Sequence, residues 1–144
     1  MKQEFSAYLK DIVGLTDLFL TRAEIAFDFY QTLFPDDIKD IFVSEYIDKE
    51  GNRQFESIYI VTSNMLCEAK KFIIEEDFDF LPINNKIVYC RIKRTAFDSK
   101  TTSNDSRMTV NISIEDFHAD FKASKENCKK LVAIFNQFLL PNLA

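Results

Sequence analysis

A chain of 144 residues makes one domain, or one domain with an accessory segment, and is long enough to bury a sizeable core. Its 15 Phe and 5 Tyr, with no Trp, point to an aromatic core, and only 2 Gly and 3 Pro exclude a low-complexity or linker-rich protein. The formal net charge of -5 opposes nucleic-acid binding and attachment to an anionic membrane, both of which rest on Lys and Arg set against phosphate.

The first segment, Glu4 to Phe34, reads as helix. Phe5, Tyr8, Ile12, Leu15, Phe19, Ala23, Ala26, Tyr30 and Leu33 advance by threes and fours. Gly14 or Thr16-Asp17 is a natural break, with Asp17 a candidate N-cap, and Pro35 ends the run. A second apolar row, Leu9, Val13, Leu20, Phe27 and Phe34, joins it, with Leu18, Ile25 and Phe29 as extras. That is more apolar surface than a helix on one sheet needs. Two readings stand: a helix wedged deeply against the rest of the chain, or a face for a partner protein or a second copy, with Leu20 and Phe27 as the contact residues.

From Ile38 the period changes to two. Ile41, Val43 and Ile47 alternate with Ser44 and Tyr46, and Lys49-Glu50-Gly51-Asn52 is a hairpin turn. Phe55 to Val61 is the return strand, apolar on both faces near its end. Met65 to Ile74 suits either strand or a short helix, and strand is the expectation. An acidic loop, Glu75-Glu76-Asp77, leads into a short strand over Phe78–Pro82. Lys86 to Thr95 is a strand with Val88, Cys90 and Ile92 on one side and Tyr89, Arg91 and Lys93 on the other. The run from Asp98 to Ser106 is polar throughout and expected to be a mobile loop.

Strict alternation then follows. Met108, Val110, Ile112 and Ile114 form one apolar face, and Phe117, Ala119 and Phe121 another. Ser124 to Leu140 is an amphipathic helix with Ser124 as its expected N-cap, a stripe of Cys128, Leu131, Val132, Phe135, Phe138 and Leu139, and Pro141 as its stop. Cys67, Cys90 and Cys128 are few and far apart, and read as reduced thiols of a cytoplasmic protein. No signal peptide or membrane-spanning stretch is expected from the pattern.

Strands followed by a closing amphipathic helix resemble the pleckstrin-homology-like superfold. Two stretches carry the likeness: SIYIVTSNMLCEAKKF resembles its paired second and third strands, and SRMTVNISIEDFHADFKASKENCKKLVAIFNQFL its last two strands and cap helix. The resemblance implies an α+β fold, an antiparallel barrel or sandwich of about seven strands over residues 36–144, with residues 1–35 as an added helical segment. Lipid-binding members grip inositol phosphates with a basic first hairpin. Here only Lys49 and Arg53 match in kind, opposed by Asp48 and Glu50, so specific phosphoinositide binding is not expected. Phe135 stands where many members carry a Trp.

Candidate chemistry is sparse. Asp116, His118 and Asp120 share one strand face, but neighbours two apart lie about 7 Å from each other, too far to converge on a metal unaided. Lys86, Arg91, Lys93 and Arg94, with Tyr89 beside Arg91 and Lys93, make a basic strand that suits either an anion site or a solvated sheet face. Glu75, Glu76, Asp77 and Asp79 lack the ligand spacing and turn glycine of a calcium loop. No cofactor or metal is expected. The chain reads as a non-catalytic interaction module acting through its N-terminal helix. The alternatives are a carrier of a small apolar ligand, or a hydrolase, with a pocket between that helix and the barrel. A third is an acidic secretion-type chaperone, which requires Met65–Ile74 to be helical.

Overall fold

Two antiparallel sheets carry the fold, and the four-stranded one is buried on both sides. The computed structural model describes residues 2–95 and 106–144; positions 98–105 of the expected polar loop lie outside them. Helix α1 (Lys2–Ala7) runs on as a π-helical turn, Tyr8–Val13, and α2 (Asp17–Leu33) follows. Strands β1 (Asp40–Ile47), β2 (Arg53–Val61), β3 (Met65–Lys70) and β4 (Asp77–Pro82) pair in sequence order. Strands β5 (Tyr89–Arg94), β6 (Arg107–Ile114) and β7 (Phe117–Ser124) form the second sheet. Helix α3 (Asn127–Ile134) continues through a π-helical turn, Phe135–Leu139, and a short 3-10 turn, Leu140–Asn142. The chain is therefore α+β with seven strands among the described residues. Met65–Lys70 is strand and Lys71–Ile74 a turn, so the helix required by the chaperone reading is not formed there.

The apolar core divides by strand parity. On one face of the large sheet, Ile41, Val43, Ile58, Ile60, Cys67 and Ala69 meet Phe5, Leu9, Val13, Ala23, Phe27 and Tyr30 from the helices. On the other, Phe42, Tyr59, Val61 and Leu66 meet Val110, Ile112 and Phe121, with Leu131, Ile134 and Leu139 of the C-terminal helix. Burial on both faces is why Ile58-Tyr59-Ile60-Val61 is an unbroken apolar run. It also settles the helix question in part: the N-terminal segment is wedged on the sheet, and its first interface is with its own chain.

The expected barrel is not closed. β1 and β7 lie side by side without a backbone ladder, and side chains make the join instead. The Lys122 amide donates to Ser44 Oγ at 2.9 Å, the Ser124 amide to Glu45 Oε2 at 2.8 Å, and Tyr59 Oη–H to the Asp120 carbonyl at 2.9 Å. The β1–β2 register shifts at this point: Ser44 pairs with Ser57 but Glu45 with Phe55, leaving Glu56 extra on β2. Ser44 and Glu45, consecutive in β1, both reach β7 across the edge of the strand.

Several local expectations are corrected. Ser124 does not cap α3; it ends β7, buried, with its hydroxyl donating to Glu45. Asp17 is the first residue of α2 at φ 50°, and Thr16 is the cap residue. Phe117 is 59% exposed because it sits at the β6–β7 turn, beyond the reach of the facing sheet. Val132 leaves the expected stripe for the surface and Ile134 enters the core, since the α3 contact is centred on Leu131 and Ile134.

Candidate functional site

Helix α2 buries one side and leaves another apolar side open. Ala23, Ala26, Phe27 and Tyr30 face the sheet, and the small alanines let the helix come close. At 100° per residue, Leu18, Ile25, Phe29 and Leu33 fall within an arc of about 80° that flanks the buried side, with Arg22 inside it. All four are exposed, Leu18 by 64%. The strip continues across the molecule: the Phe29 and Phe78 rings are 4.7 Å apart, Phe34 and Phe80 are 6.3 Å apart, and Ile74 in the β3–β4 turn is 76% exposed. A shallow groove beside Ile25 is lined by Arg22, Phe72, Glu75, Glu76 and Phe78. Contiguous exposed apolar surface of this kind marks contact sites more often than isolated surface leucines do.

The residues first singled out on this helix are not the ones it exposes. Phe27 is fully buried and stacks on Phe5 with ring centroids 4.3 Å apart. Leu20 is partly buried and packs against the same cluster. Neither faces outward for a partner. The outward positions are Leu18, Ile25, Phe29 and Leu33; the first three stood in the sequence as extras to the second apolar row. Helical periodicity groups residues by face but does not say which face meets the sheet.

Tyr89, Arg91 and Lys93 are exposed on the outer face of the small sheet, in register with Ser113, Asn111 and Thr109. Arg94 pairs with Met108 and so turns to the other face, and Lys86 lies in the turn before β5. The basic residues therefore divide between faces. Asp116 sits in a turn, His118 Nδ1 is 2.8 Å from Ser113 Oγ, and Asn111 Nδ2 donates to Asp120 Oδ1 at 2.5 Å. The three side chains expected to share a face are taken up separately. Among the described residues no three His, Cys, Asp or Glu side chains gather to hold a metal ion.

Clefts open elsewhere as well. One of about 330 Å³ lies at the open end between the sheets, lined by Phe80, Leu81, Pro82, Lys86, Ile114 and Glu115 among others. Another of about 230 Å³ lies between the start of β6 and α3, beside Arg94, Met108 and Cys128. The interface between the N-terminal helices and the large sheet is filled by Phe5, Leu9, Phe27 and Tyr30, at the place where a ligand pocket was expected.

Sequence reasoning missed the most connected group in the molecule. Glu45 is fully buried. Its carboxylate accepts from Arg53 Nε at 2.8 Å, Asn127 Nδ2 at 2.8 Å, the Ser124 amide and the Ser124 hydroxyl. Arg53 also donates through Nη1 to the Val13 and Ile12 carbonyls at the end of the first helix, where the partial negative charge of a helix C-terminus favours a cation. Tyr8 Oη–H donates to Asn127 Oδ1 at 2.7 Å and accepts from the Val43 amide. Burial pushes the Tyr8 phenol well above its ordinary range, so it stays a donor. Among the described residues every buried side-chain nitrogen and oxygen has a partner. The signal was present: Glu45 is a charge in an apolar strand, and Arg53 stands eight residues on across the hairpin.

The thiols carry no activation. Burial pushes Cys67 up to about 12 and Cys128 up to about 11, with Cys90 also raised. At pH 8 about one Cys67 in ten thousand is then thiolate, against about one in four for a free cysteine. Iodoacetamide at that pH is expected to leave Cys67 unmodified in the native protein and to label it in denaturant, as peptide mass spectrometry would show; rapid native labelling would contradict the packing around it.

No family model and no curated protein matches the chain. Among solved structures, the C-terminal domain of an unknown protein from Leishmania infantum is similar at a TM-score of 0.45 and 12% identity, covering 78% of this chain and 96% of that one.

Proposed function

We propose that the protein is a non-catalytic interaction module whose contact face is the outer side of α2, on a framework of pleckstrin-homology-like type. The exposed strip Leu18, Ile25, Phe29 and Leu33, running on to Ile74 and Phe80, carries the reading. A protein that leaves such a row in water bears a standing cost in apolar hydration, which a partner relieves. The framework part of the proposal is supported by strand order: four strands, then three, then a C-terminal helix packed into the space between the sheets.

The test is differential. Wild-type protein and a Leu18→Ser/Ile25→Ser variant, both immobilised, are exposed to extract of the cells that make the protein, and retained proteins are quantified. Leu18 is 64% and Ile25 43% exposed, so the double change is expected to cost about 1–2 kcal/mol of folding stability and leave the fold intact. A defined protein retained by wild type and lost from the variant is the expected outcome. Identical retained sets from two equally folded baits would remove α2 as the contact face.

A further inference from the structure

Carboxylates outnumber cations around the apolar strip. On one flank, Asp17 and Glu24 share the side of α2 next to Ile25, by the same angular count. On the other, Glu75 and Glu76 of the β3–β4 turn and Asp77 at the start of β4 are exposed, and Glu75 and Glu76 line the groove beside Ile25. The cations here are Lys70 and Lys71, both exposed, Lys70 paired with Asp79 at 2.6 Å, and Arg22, which by the same count falls between Phe29 and Leu33. Arg22 is partly buried, with its Nε donating to the Ile73 carbonyl at 3.2 Å. The face is thus an apolar lane, crossed by Arg22, whose margins carry more carboxylates than cations.

We propose that this lane takes an amphipathic helix from a partner protein, with Lys or Arg along both sides of that helix's apolar stripe. The proposal rests on the interaction-module reading and names its partner by chemistry. Shape supports a helix: from Leu18 to Leu33 the lane is about 22 Å long at 1.5 Å per residue, and it offers side chains, because the helical backbone of α2 is already hydrogen-bonded within itself. An extended strand would find no ladder on it. Charge chooses among occupants. A second copy docked through the same face sets carboxylates against carboxylates, in a chain whose net charge is already -5. An anionic bilayer meets the same repulsion.

The probe is a synthetic peptide of about five helical turns built from Leu and Lys with one apolar stripe, compared with its Leu/Glu counterpart. Binding to the full chain is followed by fluorescence anisotropy. The Leu/Lys peptide is expected to bind saturably, at least about tenfold tighter than the Leu/Glu peptide, and to weaken as salt rises. Leu18→Ser/Ile25→Ser and Glu75→Lys/Glu76→Lys are each expected to weaken it by about tenfold, with far-UV circular dichroism unchanged. Equal affinity for both peptides, with loss on Leu18→Ser/Ile25→Ser, would overturn the charge assignment while the contact face stood. Leu/Lys binding that ignores both double variants would place the peptide elsewhere and overturn the proposal. Two more arms assign the other occupants: sedimentation velocity showing a dimer abolished by Leu18→Ser/Ile25→Ser would make it a second copy. Cosedimentation with phosphatidylcholine–phosphatidylserine vesicles, lost in that variant, would make it a membrane. The proposal fails in either case.

Discussion

Replacing Glu45 with alanine is expected to cost about 3–5 kcal/mol of folding stability, read from urea denaturation, because removing one member of a buried ion pair strands the other. The loss is not confined to one contact. Arg53, Asn127 and the Ser124 amide and hydroxyl all turn toward this carboxylate, so each loses an acceptor at once, while Arg53 keeps the Val13 carbonyl and Asn127 the Val43 carbonyl. These groups belong to β2, α3 and β7, and through Arg53 and Tyr8 the network reaches the first helical segment. Amide exchange at residues 5–15 is expected to quicken together with the β1–β7 join. Glu45→Gln keeps the shape and part of the acceptor capacity, and should fall between alanine and wild type. Glu56→Ala is the control: its pair with Lys122 is 3.0 Å long but more than a third exposed on both sides, and solvent holds such pairs to about 1 kcal/mol or less. A Glu45→Ala loss no larger than the Glu56→Ala loss would mean that the join between the sheets does not depend on this carboxylate.

Phe27→Ala is expected to destabilise the fold by about 3–5 kcal/mol through the cavity it leaves between Phe5 and the large sheet. The same residue read from sequence alone as a partner contact predicts lost assembly with intact stability, so a denaturation curve separates the two roles. The distinction extends to the whole segment. Removing residues 1–35 uncovers Ile41, Val43, Ile58, Ile60, Cys67 and Ala69 on one sheet face. Such a chain is expected to aggregate, as judged by solubility and light scattering. A folded, monomeric 36–144 fragment would show that the helices are an appendage after all.

Particular elements show how far the residues could be read. In β6, Met108, Val110, Ile112 and Ile114 are buried and their alternating neighbours are not, as period two requires when one face is wet. The same rule was less useful around β5, where Val88 just before the strand and Ile92 within it remain 62% and 42% exposed, because β5 is an edge strand and only β6 lies beside it among the described residues. On α2 the large residues Leu20 and Phe27 attracted attention as a face for others. The helix contact is built around Ala23 and Ala26, and small side chains are weak signals in any hydrophobicity pattern.

Periodicity, turn residues and the low glycine count determined by themselves that the chain is α+β, that its strands are antiparallel and short, and that a helix follows them. These are local properties, set by which side chains share a face within one element. What lay beyond them was decided by contacts between residues far apart in sequence. The β1–β2 register shifts at Glu56, β7 is held by side chains 78 and 79 residues away, and the large sheet is covered twice. Which apolar row of α2 stays in water follows from that second covering, because a helix has one side to give to a sheet and the sheet selects it.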